Sequence, residues 1–164
     1  MKASKKEIRK IRLILQYQYR NTIHDIDCLI PDNIEIIKSN KTKRIKQVLL
    51  DNNPLFYYRP MDGLFVPAKR GAERLHEQIE AEKFRVIINK DAEPFIRKGK
   101  TAFAKHILEV DSEIKIGDEV LILNPEKLLI GWGDAILPGR IMREMRAGVA
   151  VKTRGGIKTK NKQD

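Results

Sequence analysis

Apolar residues recur at helical spacing near the start of the chain and then change to the spacing of strands. Ser4 is a good helix N-cap. From there to about Arg20, Ile8, Ile11, Leu15 and Tyr19 fall on one side of a helical wheel, and Lys6, Arg9, Lys10 and Arg20 fall on the other. The pattern predicts one helix with a single buried face. Between Ile30 and Pro67 the chain breaks into extended pieces, IEIIK, RIKQVLL, LFYYR and LFVP. DNNP separates the second piece from the third and PMDG the third from the fourth, so these three read as an antiparallel meander. Residues 69–80, KRGAERLHEQIE, place Ala72, Leu75 and Ile79 on one helical face and close an α/β unit near Glu82.

The second half opens with FRVIINK, a continuous apolar run of the kind found in strands covered on both faces. In DAEPFIRKG, Asp91 reads as the helix cap, Pro94 as a first-turn residue and Gly99 as the left-handed residue that ends the helix. KTAFAKHI alternates like a strand. IKIGDEVLILN is a turn followed by a strand, and LLIGWGDAIL is another strand after a turn at NPEK. PGRIMREMRAG reads as a short helix ended by Gly148, and VAVKTR as a last strand. Five strands with two short helices predict a small, mostly β barrel with helices over its ends. The fold class is therefore α+β. Residues 1–82 form a small N-terminal α/β domain of antiparallel strands with flanking helices, residues 83–156 a β pseudobarrel, and residues 157–164 a disordered basic tail poor in apolar groups.

Charge adds a class of partner. The 164 residues carry 33 Lys+Arg against 22 Asp+Glu, a net charge of +11, which suits a polyanion or an acidic membrane surface. Residues 1–82 hold 16 basic and 11 acidic groups (+5), and residues 83–164 hold 17 and 11 (+6), so no detached basic arm carries the excess. An ordinary solvated surface accounts for the charge equally well. No apolar run is long enough to cross a bilayer, and MKASKKEIRKIR has no signal-peptide core, so a cytoplasmic protein without membrane contact is expected.

Enzyme chemistry finds little to work with. One cysteine, Cys28, and three scattered histidines, His24, His76 and His106, do not make a structural zinc site, so neither a metal nor a cofactor is expected. HDIDC, residues 24–28, is the only spot rich in acid and base groups, and it reads as a loop histidine beside helix-flanking acids. GWGDAI lacks the third glycine and the βαβ setting of a dinucleotide fingerprint. Trp132 reads as core and His76 as half-buried.

Cations gather around the short helix of the second half. Arg97 and Lys98 end it and Lys100 follows Gly99, a corner where point charges and backbone N–H groups could hold a phosphate. Cations also favour a helix C-terminus through its dipole, and spacing alone leaves both readings open. In the next strand Ala102, Ala104 and His106 share one face, opposite Thr101, Phe103, Lys105 and Ile107. The alanines would admit a sugar–phosphate chain to the backbone, or let a helix pack closely. Farther on, Arg140, Arg143 and Arg146 take the side opposite Ile141, Met142 and Met145, and Lys152 and Arg154 alternate with Val151 and Thr153.

The blocks VIINKDAEPFIRKGKTAFAKHILEVDSEIKIGDEVLILN, LLIGWGDAIL and RAGVAVKTR closely resemble, in that order, the PUA domain of archaeal tRNA-guanine transglycosylases of the archaeosine pathway. IPDNIEIIKSNKTKRIKQV and YRPMDGLFVPAKRGAERL resemble the domain that precedes it, so the resemblance spans about residues 8–156. It implies a PUA-type β pseudobarrel and an RNA-binding role, in particular contact with the acceptor stem and 3′ CCA end of tRNA. Position by position it puts RNA-facing residues at Arg97, Lys98, Gly99, Lys100, Phe103 and Lys105, and at Val149, Ala150, Lys152 and Arg154 of the closing strand. Ala104, for its small side chain, and Arg143, for its basic helix side, complete the set. Asp134 departs from the basic residue that many relatives carry after the glycine and is left out. The chain has no catalytic barrel, hence neither the nucleophilic aspartate nor the zinc-binding cysteines of the transglycosylase. The expectation is a non-catalytic tRNA-binding protein, accessory to a tRNA-guanine transglycosylase or another archaeosine-forming enzyme. The alternative is a ribosome-associated initiation factor of the malignant T-cell amplified sequence type, which engages initiator tRNA.

Overall fold

Residues 1–159 are described by the computed structural model, and they form two compact units divided between Glu80 and Ala81. In the first unit, helix α1 (Lys5–Gln18) starts with a capping box. The Ser4 hydroxyl accepts from the Glu7 N–H, and the Glu7 carboxylate accepts from the Ser4 N–H. Ile8, Ile11, Leu15 and Tyr19 are buried, as the wheel requires. A short helix α2 (Ile26–Leu29) follows, then strands β1 (Glu35–Lys38), β2 (Ile45–Leu50), β3 (Asn53–Arg59) and β4 (Leu64–Pro67), antiparallel in that order, and helix α3 (Lys69–Gln78).

IEIIK joins this sheet as its first strand, so the meander has four members rather than three. The turn that joins it to β2 carries neither Gly nor Pro. The Ser39 hydroxyl accepts from the Thr42 N–H instead, and Lys43 takes the left-handed conformation at φ 59°. The DNNP turn matches expectation, since Asp51 and Asn52 both take positive φ, the mirror-image turn that suits hairpin twist.

The second unit begins with strand β5 (Arg85–Ile88) and helix α4 (Glu93–Arg97). Strand β6 (Ala102–Phe103), a 3-10 turn over Ala104–His106 and strand β7 (Ile107–Val110) come next. They are followed by β8 (Glu119–Leu123), β9 (Leu129–Ala135), helix α5 (Gly139–Met142) and β10 (Val149–Gly156). The strands form one sheet in the order β6-β10-β9-β8-β5-β7, in which β5 runs parallel to β8. Because β6 and β7 are joined directly through the 3-10 turn, the two ends of the sheet meet and the barrel nearly closes. Val86, Ile88, Ile96, Val120, Ile122, Ile130 and Val151 fill it.

Four sequence expectations change here. KTAFAKHI is not one strand: Ala104–His106 form a 3-10 turn, closed by the Ile107 N–H donating to the Ala104 carbonyl, which ends β6 and makes six strands of the expected five. The N-cap position of α4 is Ala92 and not Asp91, and it carries no side-chain cap; the Asn89 Oδ1 accepts from the Ala92 N–H at 3.0 Å in the turn before the helix. Helix α5 is a single turn, so Arg140, Arg143 and Arg146 do not share a helical side. Only Met142 of its apolar residues is buried, with Ile141 and Met145 each 41% exposed. Finally, Ile157 does not belong to a loose tail, for its N–H donates to the Ile130 carbonyl at 2.8 Å. Of the rest of the expected disordered tail, Lys158 and Thr159 are exposed, and residues 160–164 lie outside the described residues.

Candidate nucleic-acid interface

The corner that ends α4 is built by backbone geometry. Lys98 caps the helix, and the N–H groups of Gly99 and Lys100 donate back to the carbonyls of Ile96 and Phe95, each at 2.9 Å. Gly99 has φ +84°, and a Cβ there would touch nothing within 4 Å. Glycine is needed for conformation, then, and the space above it is open to a ligand. Lys98 and Lys100 flank that opening, both exposed, and neither forms an ion pair among the described residues.

β6 and β10 extend the corner into an edge. Phe103 stands opposite Val149 in the antiparallel register, so both side chains point the same way. Phe103 is 43% exposed and Val149 half-buried. Lys105 is exposed in the 3-10 turn that follows. The segment after α5, with Arg143 exposed in it, runs to Gly148, whose carbonyl holds the Ala104 N–H. Phe103 and Val149 thus stand side by side where β6 meets β10, and Lys98, Gly99, Lys100 and Lys105 flank Phe103 along the same segment of chain.

The remaining expected contacts are placed differently, each for a physical reason. The Arg97 side chain is 15% exposed. Its Nε donates to Glu93 Oε2 at 2.9 Å and its Nη1 to the Ile157 carbonyl at 3.0 Å. The Arg154 Nε donates to both oxygens of Glu119, at 3.0 and 2.9 Å, and its Nη2 lies 2.8 Å from Oε1. The Glu119 side chain is only 1% exposed, and a buried carboxylate must keep its counter-ion. Ala104 and Ala150 are buried in the barrel core, so their smallness serves packing and not access by a sugar–phosphate chain.

Lys152 is exposed, but its register partner on β9 is Asp134, which in turn stands opposite Glu119 on β8. Asp134 also lies 4.0 Å from the Arg154 guanidinium. On this outward face two acids balance two cations. Of the expected contacts, the cations that face no acid are therefore those of the Lys98–Lys105 edge and not those of the closing strand.

One residue at that edge was missed. Lys158 is exposed immediately after Ile157, whose carbonyl is bound to Arg97. The signal was the Gly155-Gly156 pair, which lets β10 run on beneath α4 and carries the chain past residue 156.

The HDIDC stretch is structural. Asp25 Oδ1 caps α2 by accepting from the Cys28 N–H at 3.0 Å, and Asp27 lies 3.4 Å from the Arg12 guanidinium. Among the described residues no group of three or more His, Cys, Asp or Glu is placed to hold a metal ion, and no helix is long and apolar enough to cross a membrane. Trp132 is 7% exposed, a core residue.

Comparison with known proteins gives two matches in series. Residues 9–82 match the family described as patch-forming domain C2 of tRNA-guanine transglycosylase, and residues 84–157 match the PUA domain. The tRNA-guanine(15) transglycosylase of Methanocaldococcus jannaschii is 41% identical over 150 residues, 91% of this chain and 23% of that protein. The enzyme of the same name from Methanobrevibacter smithii is 37% identical over 155 residues, 94% of this chain and 23% of that protein. The chain spans less than a quarter of the length of either. A hypothetical protein of Pyrococcus horikoshii superposes with a TM-score of 0.69 at 24% identity, covering 96% of this chain and 94% of that one. A conserved PUA domain protein from Thermoplasma acidophilum gives 0.68 at 19% identity, covering 96% and 93%. These two structures bear on the fold alone.

Proposed function

The chain joins a C2 domain of the tRNA-guanine transglycosylase type to a PUA domain, and on that premise we propose that it is a non-catalytic tRNA-binding protein. In this reading the PUA unit holds the acceptor stem and 3′ CCA end, while a transglycosylase or other archaeosine-forming enzyme modifies a base elsewhere on the same tRNA.

The observation that carries the reading is the edge made by Lys98, Gly99, Lys100, Phe103 and Lys105. Its cations are exposed and free of ion pairs among the described residues, and its glycine has open space above it. Lysines supply charge for phosphates, the glycine leaves room for a sugar–phosphate chain to come close to the main chain, and Phe103 offers a ring face on which a base can stack. In this reading the chemistry belongs to the partner.

Gel shifts of the purified chain with whole tRNA and with tRNA trimmed at its 3′ end test the recognition of the terminus. Whole tRNA is expected to bind more tightly than each trimmed form, and equal affinity for all of them would defeat it. Cosedimentation with small ribosomal subunits would favour the initiation-factor alternative.

A further inference from the structure

We propose that Lys158 contacts an RNA phosphate beside Lys98 and Lys100, and that Arg97 does not touch RNA but positions Lys158. The inference rests on the RNA-binding reading above.

Three constraints bring the end of β10 to α4. Gly156 passes so close to the helix that a Cβ there would collide with the carbonyl oxygens of both Ile96 and Arg97. The Ile157 N–H donates to the Ile130 carbonyl at 2.8 Å, which continues the pairing with β9. The Ile157 carbonyl accepts from Arg97 Nη1 at 3.0 Å, while Arg97 Nε is held by Glu93 at 2.9 Å. Both backbone groups of Ile157 are thereby fixed.

The next residue, Lys158, is released into solvent next to the helix end that carries Lys98, and it forms no ion pair among the described residues. A lysine on a free tail must lose chain entropy when it meets a phosphate. One on an anchored backbone has lost most of it beforehand, so Lys98, Lys100 and Lys158 present a preformed set. Only a guanidinium suits the anchoring position. Its fork bonds a carboxylate and a carbonyl at once, in directions that a lysine ammonium does not fix.

The test is a double-mutant cycle on tRNA affinity, measured with the whole chain and a tRNA transcript over a range of potassium chloride concentrations. Lys158→Gln is expected to weaken binding about fivefold and to flatten the slope of log K against log salt by roughly 0.7–0.9, the loss of one phosphate contact. Arg97→Gln is expected to weaken binding by a similar factor. In that background the further change Lys158→Gln should cost less than about twofold, because the lysine it removes is already unplaced. Arg97→Lys takes its place in the cycle if Arg97→Gln does not fold.

Unchanged affinity and slope for Lys158→Gln, while the unaltered chain binds tRNA, would overturn the contact. Equal penalties for Lys158→Gln in both backgrounds would overturn the positioning role. Failure of the unaltered chain to bind tRNA at all would instead remove the reading beneath both.

Discussion

Arg154 grips Glu119 with a two-pronged ion pair, Nε donating to both carboxylate oxygens at 3.0 and 2.9 Å, across the outer face of the barrel. The Glu119 side chain is 1% exposed and that of Arg154 is 34% exposed. The pair fastens β10 to β8 over the intervening β9 and engages the last arginine of the closing strand within the barrel. Replacing Arg154 takes a two-pronged set of charged hydrogen bonds away from a buried carboxylate. Arg154→Gln is expected to lower stability to urea by about 2 kcal/mol, less than a fully buried pair would lose because the guanidinium is partly wet. The tRNA affinity of the folded variant should fall less than that of Lys100→Gln. Unchanged stability with a large loss of affinity would return Arg154 to the interface.

Phe103 is expected to behave in the opposite way. Its ring is 43% exposed at the β6 edge, so Phe103→Ala removes little packing. If a base stacks there, affinity for tRNA should drop about thirtyfold, near the middle of the range for a single base–aromatic contact. The thermal midpoint, followed by circular dichroism, should move only slightly. A destabilised variant with normal affinity would make Phe103 a packing residue.

The edge of the small sheet has its own closure. Gln18 Nε2 donates to the Phe65 carbonyl at 2.7 Å, and its Oε1 accepts from the Phe65 N–H at 2.9 Å, both buried. One side-chain amide thus does for β4 what a fifth strand would do. Gln18→Ala strands a buried donor and a buried acceptor, so a loss of roughly 2–3 kcal/mol is expected by urea unfolding. A value below about 0.5 kcal/mol would mean that these backbone groups find water instead.

Acid should loosen the start of the chain. The Glu7 carboxyl is held below its ordinary value near 4.5, first by its bond from Lys38, at 2.8 Å, and then by the Ser4 N–H. Because the folded value is depressed, the stability contributed is fully present above the unfolded value and is lost as pH falls through the folded one. Thermal midpoints of the unaltered chain and of Glu7→Gln should therefore differ at neutral pH and converge in acid. A constant gap across the acid range would contradict the assignment.

What the sequence made legible follows from range. The α1 face, the two hairpin turns after β2 and β3, and the left-handed Gly99 are local matters, settled by spacing, turn chemistry and φ preference. The PUA-type barrel came from several motifs in order. The interface was only half visible, because exposure depends on partners distant in sequence. Arg154 finds Glu119 35 residues away and Arg97 finds Ile157 60 residues away, and no periodicity announces either. Ala104 and Ala150 misled for a related reason: small side chains suit a crowded core and an open ledge alike, and only the barrel decides between them. Lys158 follows the last apolar strand, and its anchoring depends on the same distant bond between Arg97 and Ile157.

The central claim is that the free lysines of the α4–β6 edge hold the RNA backbone, and salt dependence reads it most directly. tRNA affinity of the unaltered chain and of the triple variant Lys98→Gln, Lys100→Gln, Lys105→Gln should be measured across a salt series. The account predicts an unaltered thermal midpoint and a slope of log K against log salt that is shallower by about 2–3, one contact per lysine. A folded triple variant with the affinity and slope of the unaltered chain would contradict it.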